Sequence, residues 1–253
     1  MLKDITLGQY FPGNSIVHRT DPRIKIILTV IYITAIFLIS DSLLGYIVCA
    51  IFTACIIKIA KIPVSYVFKG LKPLFFILIF TATINVFMTP GIEVFRIFNL
   101  TVTQEGIRLA IFMVMRLVFL IIGTSILTLT SSPISLTDGI ENLLNPLKRI
   151  GVPAHELAMM MTIAIRFIPT LLEETEKIMK AQMARGADFQ SGNIIKRARA
   201  LVPLLVPLFI SAFRRADELA MAMECRCYNG GINRTRLRAL KLKMLVLWSV
   251  LLF

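Results

Sequence analysis

The chain has 253 residues, of which 57% are hydrophobic and only 17% are charged. A water-soluble domain of this length could not cover so many apolar side chains with so few charges, so the composition excludes an ordinary soluble enzyme and predicts an integral membrane protein. Lys and Arg outnumber Asp and Glu by 28 to 15. The resulting formal charge of +13 favours anionic lipid and acidic protein grooves over nucleic acid as partners of a membrane protein.

Four apolar runs in the first half of the chain predict membrane-spanning helices. They cover residues 24–40, 43–57, 74–88 and 107–129. Some are shorter than the roughly 20 residues that a bilayer core requires, but Lys25, Lys58, Lys61 and Lys72 flank them and can extend them by snorkelling. The residues before the first run lack the pattern of a signal peptide, so the first span is expected to direct insertion. A fifth run, 244–253, is too short as it stands, and this helix either continues or crosses only in part.

The positions of the basic residues predict the orientation of these helices. The connection between the second and third runs contains Lys58, Lys61, Lys69 and Lys72 and no acidic residue. This connection and the amino terminus are therefore predicted to be cytoplasmic. The connection at Asp41 and the segment 89–104 then lie outside. This interpretation gives a multi-pass protein of the plasma membrane. It has a membrane domain of four transmembrane helices over 1–131, a cytoplasmic module over 132–236 and the start of a last transmembrane helix over 237–253.

The cytoplasmic module reads as three helices. The first starts at Ser132-Pro133 and ends before Gly151. The second runs from about Ala154 to Arg185, and the third from near Asn193 to near Tyr228, where an Asn-Gly-Gly sequence stops it. Pro203 and Pro207 interrupt the apolar part of the third helix.

The apolar stretch 157–172 in the second of these helices has two interpretations. It carries a single charge, Arg166, and could be a further span. We favour a helix at or below the membrane surface, because Arg166 and Pro169 lie in its second half and it continues into Glu173 and Glu174. Its apolar face, including Met159 and Met160, would then pack on a partner, and methionine suits an adaptable contact surface.

The sequence lacks the motifs of nucleotide binding and of hydrolysis. No Gly-Lys pair occurs, which excludes a P-loop, and there is no His-Glu-x-x-His or Gly-x-Ser-x-Gly. Cys225 and Cys227 have no further Cys or His nearby for zinc, so we interpret the cysteines as structural. Arg116 lies inside the fourth run. It is either a functional group or the donor of a structural hydrogen bond, to backbone carbonyls or to a polar residue such as Asn85.

Arginines lie at the predicted ends of the second and third module helices. Arg185 is followed by Gly186, and Arg226 lies between Cys225 and Cys227. The negative end of a helix dipole favours an Arg in the last turn, and glycine terminates helices in the left-handed conformation, so both arginines have a purely structural interpretation. The alternative is a pair of plugs, since an Arg at a slim tip can enter an acidic groove and bind a carboxylate through two N–H groups.

The sequence resembles the transmembrane T components of energy-coupling factor (ECF) transporters, the prokaryotic importers of vitamins and micronutrients. The resemblance covers most of the chain and rests on motifs that are specific only in combination. They are His-Arg-Thr-Asp-Pro-Arg-Ile-Lys at 18–25, Asn-Pro-Leu-Lys at 145–148, Arg-Phe-Ile-Pro at 166–169 with Glu173 and Glu174 following, Ala-Arg-Gly at 184–186, and Arg-Ala-Asp-Glu-Leu-Ala-Met-Ala-Met-Glu at 215–224.

This resemblance implies a fold, a function and a set of partners. The fold is an all-α, multi-pass helical membrane protein with about five transmembrane helices and a cytoplasmic module of long crossed amphipathic coupling helices. Two tips, Ala184-Arg185-Gly186 and Cys225-Arg226-Cys227, would dock into two ABC-type ATPase subunits, although Cys replaces the usual Ala and Gly in the second. We expect Met159, Met160, Leu204 and Leu205 to contact the substrate-binding S component. The chain would be no enzyme and hold no cofactor or metal, with ATP and Mg²⁺ on the ATPases.

Two other functions remain as alternatives. A secondary transporter or channel would need polar groups facing a cavity at mid-bilayer, and beyond Arg116, Asn85 and scattered threonines the sequence offers few. An intramembrane enzyme acting on lipid is disfavoured by the lack of acid and histidine clusters in the spans.

Overall fold

The structure is a computed structural model that describes residues 10–39, 42–97, 100–187, 189 and 194–230. The predictions for the last apolar run, 244–253, for the segment 237–253 and for Asp41 and Asn193 fall outside these residues. The elements, in chain order, are α1 Ile16–Arg19, α2 Pro22–Leu38, α3 Leu43–Ala60, α4 Val64–Leu71, a 3-10 turn Lys72–Leu74, α5 Phe75–Met88, β1 Glu93–Ile97, β2 Leu100–Thr103, α6 Gln104–Thr130, α7 Pro133–Leu144, a 3-10 helix Asn145–Ile150, α8 Ala154–Ala184 and α9 Ile194–Glu224.

The predicted all-α, multi-pass fold is confirmed. Each of the four apolar runs forms a helix, namely α2, α3, α5 and α6. Within the described residues, four helical segments are long and apolar enough to cross a membrane: α3, Val64–Met88, α6 and α8. The 17 residues of α2 stand at the short end of the range of about 17–25 residues for a span. Because α8 meets the criterion by length and composition alone, its position at the membrane surface remains a prediction.

The described residues form two compact units. The first ends at Gly139 and contains α1 to α6, and the second begins at Ile140 and contains α8 and α9. The predicted division at residue 131 concerns the sides of the membrane rather than packing, and it too remains a prediction.

In the first unit, α6 is the central element and packs against α2, α3, α4 and α5. The side chain of Thr103 caps its first turn by accepting a hydrogen bond from the amide of Gly106 (3.1 Å). Gly106 lets the backbone of α5 come close, because a Cβ there would meet the carbonyl oxygen of Asn85 at 2.8 Å. At the other end of α6, Leu129 forms a buried cluster with Ala60, Ile62 and Val67.

Lys25 does not snorkel as the sequence suggested, whereas the other flanking lysines are exposed. Only 8% of Lys25 is exposed. Its ammonium group donates to the carbonyl oxygen of Thr130 (2.9 Å), the hydroxyl of Ser131 (3.2 Å) and the carbonyl oxygen of His18 (3.4 Å). The three N–H donors of the ammonium are therefore satisfied, and they join the start of α2 to the end of α6.

The segment 89–104, predicted only as a connecting loop, contains a short antiparallel hairpin. Strand β1 pairs with β2, with Ile97 opposite Leu100 and Glu93 opposite Thr103. The carboxylate of Glu105 accepts a hydrogen bond from the amide of Ile92 (2.7 Å), which fixes the start of the hairpin to the first turn of α6.

Candidate functional site

The second unit is built on two long helices, α8 and α9, that pack side by side. Arg215 forms an ion pair with Glu174 (3.1 Å), and the side-chain amide of Gln182 donates to the carbonyl oxygen of Pro203 (3.3 Å). Glu174 comes before Gln182 in α8, whereas its partner Arg215 comes after Pro203 in α9. The two helices run antiparallel where they pack.

The contact at Pro203 has a cause in the covalent structure of α9. In a helix, the carbonyl of residue 203 would accept a hydrogen bond from the amide of residue 207, but Pro207 has no N–H. The free oxygen of Pro203 is the acceptor that Gln182 uses. Sequence reasoning treated these prolines only as interruptions, and Gln182 was missed as the residue that binds the exposed acceptor.

The end of α8, which we call the Arg185 tip (residues 182–187), is a Schellman motif. The amide of Ala187 donates to the carbonyl of Gln182, and the amide of Gly186 donates to the carbonyl of Met183, both at 3.0 Å. Gly186 has a φ of +86°, which is the left-handed conformation predicted for a glycine that ends a helix. Arg185 is the last residue before this turn, and its side chain is exposed.

The end of α9, the Arg226 tip (residues 223–228), repeats the same motif. The amide of Tyr228 donates to the carbonyl of Met223 (3.1 Å), and the amide of Cys227 donates to the carbonyl of Glu224 (2.8 Å). Cys227 has φ of +55° and so takes the position that Gly186 holds in the first tip. The substitution of Gly by Cys in this motif therefore leaves the turn unchanged, and Arg226 is exposed at the position equivalent to Arg185.

The antiparallel packing places the two tips at opposite ends of the helix pair. The Arg185 tip lies beside Pro203, and at about 1.5 Å of rise per residue the Arg226 tip lies roughly 35 Å farther along α9. Within the described residues neither guanidinium makes an ion pair. Each tip thus presents a planar cation with free N–H groups, the arrangement that binds a carboxylate through two parallel hydrogen bonds.

The residues predicted to contact an S component differ in exposure. Met160 is 57% exposed, Leu205 is 42% exposed and Met159 is partly exposed. Leu204 is only 7% exposed and lies on the buried side of α9, and its contact with an S component remains a prediction, as it does for the other three. The exposed apolar surface of α9 extends instead along one side through Val202, Val206, Phe209 and Phe213, which sequence reasoning did not single out.

Arg116 donates to the carbonyl oxygen of Ile39 (3.2 Å), at the end of α2, and its guanidinium lies 6.0 Å from the centre of the Phe37 ring. The structure thus gives the backbone-carbonyl interpretation of Arg116. Asn85 is not its partner here, since the amide of Asn85 donates to the carbonyl of Thr81 (2.8 Å). A cation beside the last carbonyl of α2 also interacts favourably with the negative end of that helix dipole.

No cluster of three or more His, Cys, Asp or Glu side chains that could hold a metal ion occurs in the described part of the chain. Cys225 and Cys227 are free thiols on the surface of the Arg226 tip. The features that stand out in this unit are therefore its two tips and its exposed apolar side.

These features define a class: a multi-pass α-helical membrane protein with an antiparallel helix pair that ends in two arginine tips. Comparison with known proteins gives the family. The family model "CbiQ: Cobalt transport protein" matches residues 13–237. The chain therefore belongs to the CbiQ family.

Curated relatives carry the name "Energy-coupling factor transporter transmembrane protein EcfT". The protein of Clostridium kluyveri is 61% identical over 244 residues, which cover 96% of this chain and 90% of the relative. The proteins of Thermosediminibacter oceani and Bacillus subtilis are 59% and 49% identical, and in both comparisons 95% of this chain and 91% of the relative are covered. The resemblance to ECF transmembrane components that the sequence motifs suggested is thereby confirmed.

Proposed function

We propose that the chain is the coupling subunit of an ATP-driven ECF importer for vitamins or other micronutrients. It links two ABC-type ATPase subunits to a membrane-embedded S component that binds the substrate. ATP and Mg²⁺ are bound by the ATPases, and this chain carries out no reaction of its own. The observation that carries the proposal is the pair of equivalent, exposed arginine tips at opposite ends of one helix pair.

Each tip is suited to insertion into an acidic groove. A Schellman turn ends the helix within a few residues, so the tip stays narrow and holds the arginine at its end. The exposed carbonyls of a last helical turn carry partial negative charge, which repels a carboxylate, and the guanidinium compensates for this with a full positive charge and two aligned donors. Two tips on one chain fit two ATPases, one at each end.

Exposed apolar side chains on the two long helices are the proposed contact for the S component. Met159 and Met160 lie near the start of α8, Leu205 lies on α9, and the exposed apolar side of α9 continues to Phe213. Methionine side chains adapt to different partner shapes, which suits a surface that repeatedly binds and releases another subunit. ATP-driven closure of the ATPases would displace the tips and so change how this surface holds the S component.

This function requires the amino terminus and the helix pair to face the cytoplasm of a cell whose plasma membrane holds the complex. The lysines that flank the connection between α3 and α4 support this orientation.

The experiment is charge reversal at the tips, followed by copurification of the ATPases and measurement of substrate uptake. Arg185→Glu or Arg226→Glu places a carboxylate against acidic groove residues and against the helix dipole, so each should weaken ATPase binding, and the double variant should abolish it. Lys at either position should restore binding only in part, because it lacks the planar fork.

A variant of the apolar surface serves as the matched control. Met160→Asp with Leu205→Asp should release the S component while both ATPases stay bound. If the double arginine variant still copurifies both ATPases and supports uptake, the tips are ordinary helix ends and the coupling role is wrong. Uptake by the isolated chain would instead favour a secondary transporter or channel.

A further inference from the structure

A shallow groove of about 400 Å³ lies at the corner between α3 and α4, and nothing in the coupling function uses it. It is lined by Ala54, Ile57, Lys58, Lys61, Ile62 and Val64. Because α3 and Val64–Met88 are both long and apolar enough to span a membrane, the short connection between them lies at a membrane surface. The groove therefore opens where acyl chains meet lipid headgroups.

The rim of the groove carries an uncompensated positive charge. Lys58 and Lys61 are both exposed, and neither forms an ion pair within the described residues. The sequence contains no Asp or Glu from residue 42 to residue 92. The lining between the two lysines is apolar, so cation and hydrocarbon surface are adjacent.

The backbone of Lys61 is in a conformation that lysine does not favour. Its φ is +54°, in the left-handed region that glycine adopts without steric cost. Lys61 ends α3, a position where glycine is common and where a side chain carries a conformational penalty. A strained residue on the rim of a groove supports a role for its side chain rather than for its backbone.

The core of the first unit supports one side of the groove. Ile62 is 4% exposed and packs with Ala60, Val67 and Leu129, and Ile57 lies against the same cluster. The first residues of the candidate span Val64–Met88, which form α4, carry side chains typical of a membrane interface, with Phe68 61% exposed and the ammonium of Lys69 4.8 Å from the centre of the Tyr66 ring.

We propose that this groove binds an anionic phospholipid. Lys58 and Lys61 hold the headgroup phosphate, and one acyl chain lies along Ala54, Ile57 and Val64. The apolar lining favours a lipid over free phosphate, and the two cations favour an anionic headgroup over a zwitterionic one. The bound lipid becomes part of the corner that joins α3 to the next span.

Native mass spectrometry of the full chain in mild detergent tests the proposal. Phosphatidylglycerol or phosphatidylcholine is added, and the fraction of chain that retains one lipid is measured. Phosphatidylglycerol should be retained preferentially, and Lys58→Gln with Lys61→Gln should lower its retention roughly tenfold. Glycerophosphoglycerol, the headgroup without acyl chains, should not compete at the same concentration.

Three further variants separate the groove from general charge attraction. Lys69→Gln with Lys72→Gln removes the same charge nearby, outside the groove lining, and should leave retention nearly unchanged. Ala54→Phe fills the groove at an exposed position without altering charge and should lower retention. Lys61→Gly should lower retention while raising the thermal midpoint, because it relieves the strain, so that the loss of lipid is not a loss of folding.

Equal losses in the two double lysine variants would overturn the proposal in favour of diffuse attraction. Unchanged retention in Ala54→Phe would overturn it as well, because the groove would then be unoccupied.

Discussion

Cys227 shows how two helix ends reach the same geometry from different sequences. Gly186 and Cys227 occupy equivalent positions in the two Schellman turns, with φ of +86° and +55°. A side chain with a Cβ in this region costs about 1–2 kcal/mol, which glycine avoids. The Arg226 tip is therefore the more strained of the two.

We predict that Cys227→Gly stabilises the chain. The free energy recovered by relieving the strain exceeds the cost of the greater conformational freedom that glycine has in the unfolded chain. We therefore expect the free energy of unfolding to rise by about 0.5–1 kcal/mol. Thermal unfolding in detergent measures it, and slower hydrogen exchange at the amide of Tyr228 would locate it at the tip. The reciprocal Gly186→Cys should destabilise by a similar amount. A lower midpoint for Cys227→Gly would contradict the strain argument.

Lys25 joins two helices, because its single side chain connects the start of α2 to the end of α6. Its three acceptors are oxygens of Thr130, Ser131 and His18. A helix end leaves its last carbonyls without intrahelical donors, so the carbonyl of Thr130 needs an external donor. The buried ammonium supplies it.

We therefore predict that Lys25→Met destabilises the chain by about 2 kcal/mol, because buried acceptors lose their donor. Thermal unfolding of the purified chain provides the measurement. Arg19→Met removes an equal charge from an exposed position and should change the midpoint little. Equal midpoints for the two variants would show that the Lys25 bonds do not hold α2 to α6.

For the whole molecule, the charge distribution predicts which side of the membrane each part faces. Cys225 and Cys227 are exposed and are predicted to face the cytoplasm. A membrane-impermeant maleimide should therefore label them only after cells are permeabilised. A cysteine introduced at Ile92, which is 68% exposed beside the hairpin, should be labelled in intact cells when the native surface cysteines are replaced by Ser. Labelling of Cys225 in intact cells would reverse the orientation.

Features that depend on local chemistry were predictable from the sequence. The apolar runs, the helix stop at Gly186 and the end of the 3-10 helix at Gly151 follow from composition and from residues whose conformational preferences act over a few positions. The position of Arg185 and Arg226 at helix ends was predictable for the same reason, and their docking role remains a prediction.

Features that depend on which elements meet were not predictable. Nothing local in Cys227 signals a left-handed turn, and the burial of Leu204 depends on which side of α9 packs. Lys25 was expected to reach solvent, and only the position of the end of α6 explains why it does not. The hairpin in 89–104 is held in part by Glu105, a contact across 13 positions that no single segment shows.

The contacts that align α8 with α9 determine how the helix pair responds to force. Because the tips are fixed to opposite ends of the pair, sliding of one helix along the other would change their separation. A shift of one turn, about 5.4 Å, would place Arg215 beside Thr170 or Ile178 instead of Glu174, and neither has a carboxylate. One sliding register is thus favoured over its neighbours. A push at either tip would then move the two helices together, and any bending would occur at the turns around Pro169, Pro203 and Pro207, where intrahelical hydrogen bonds are missing.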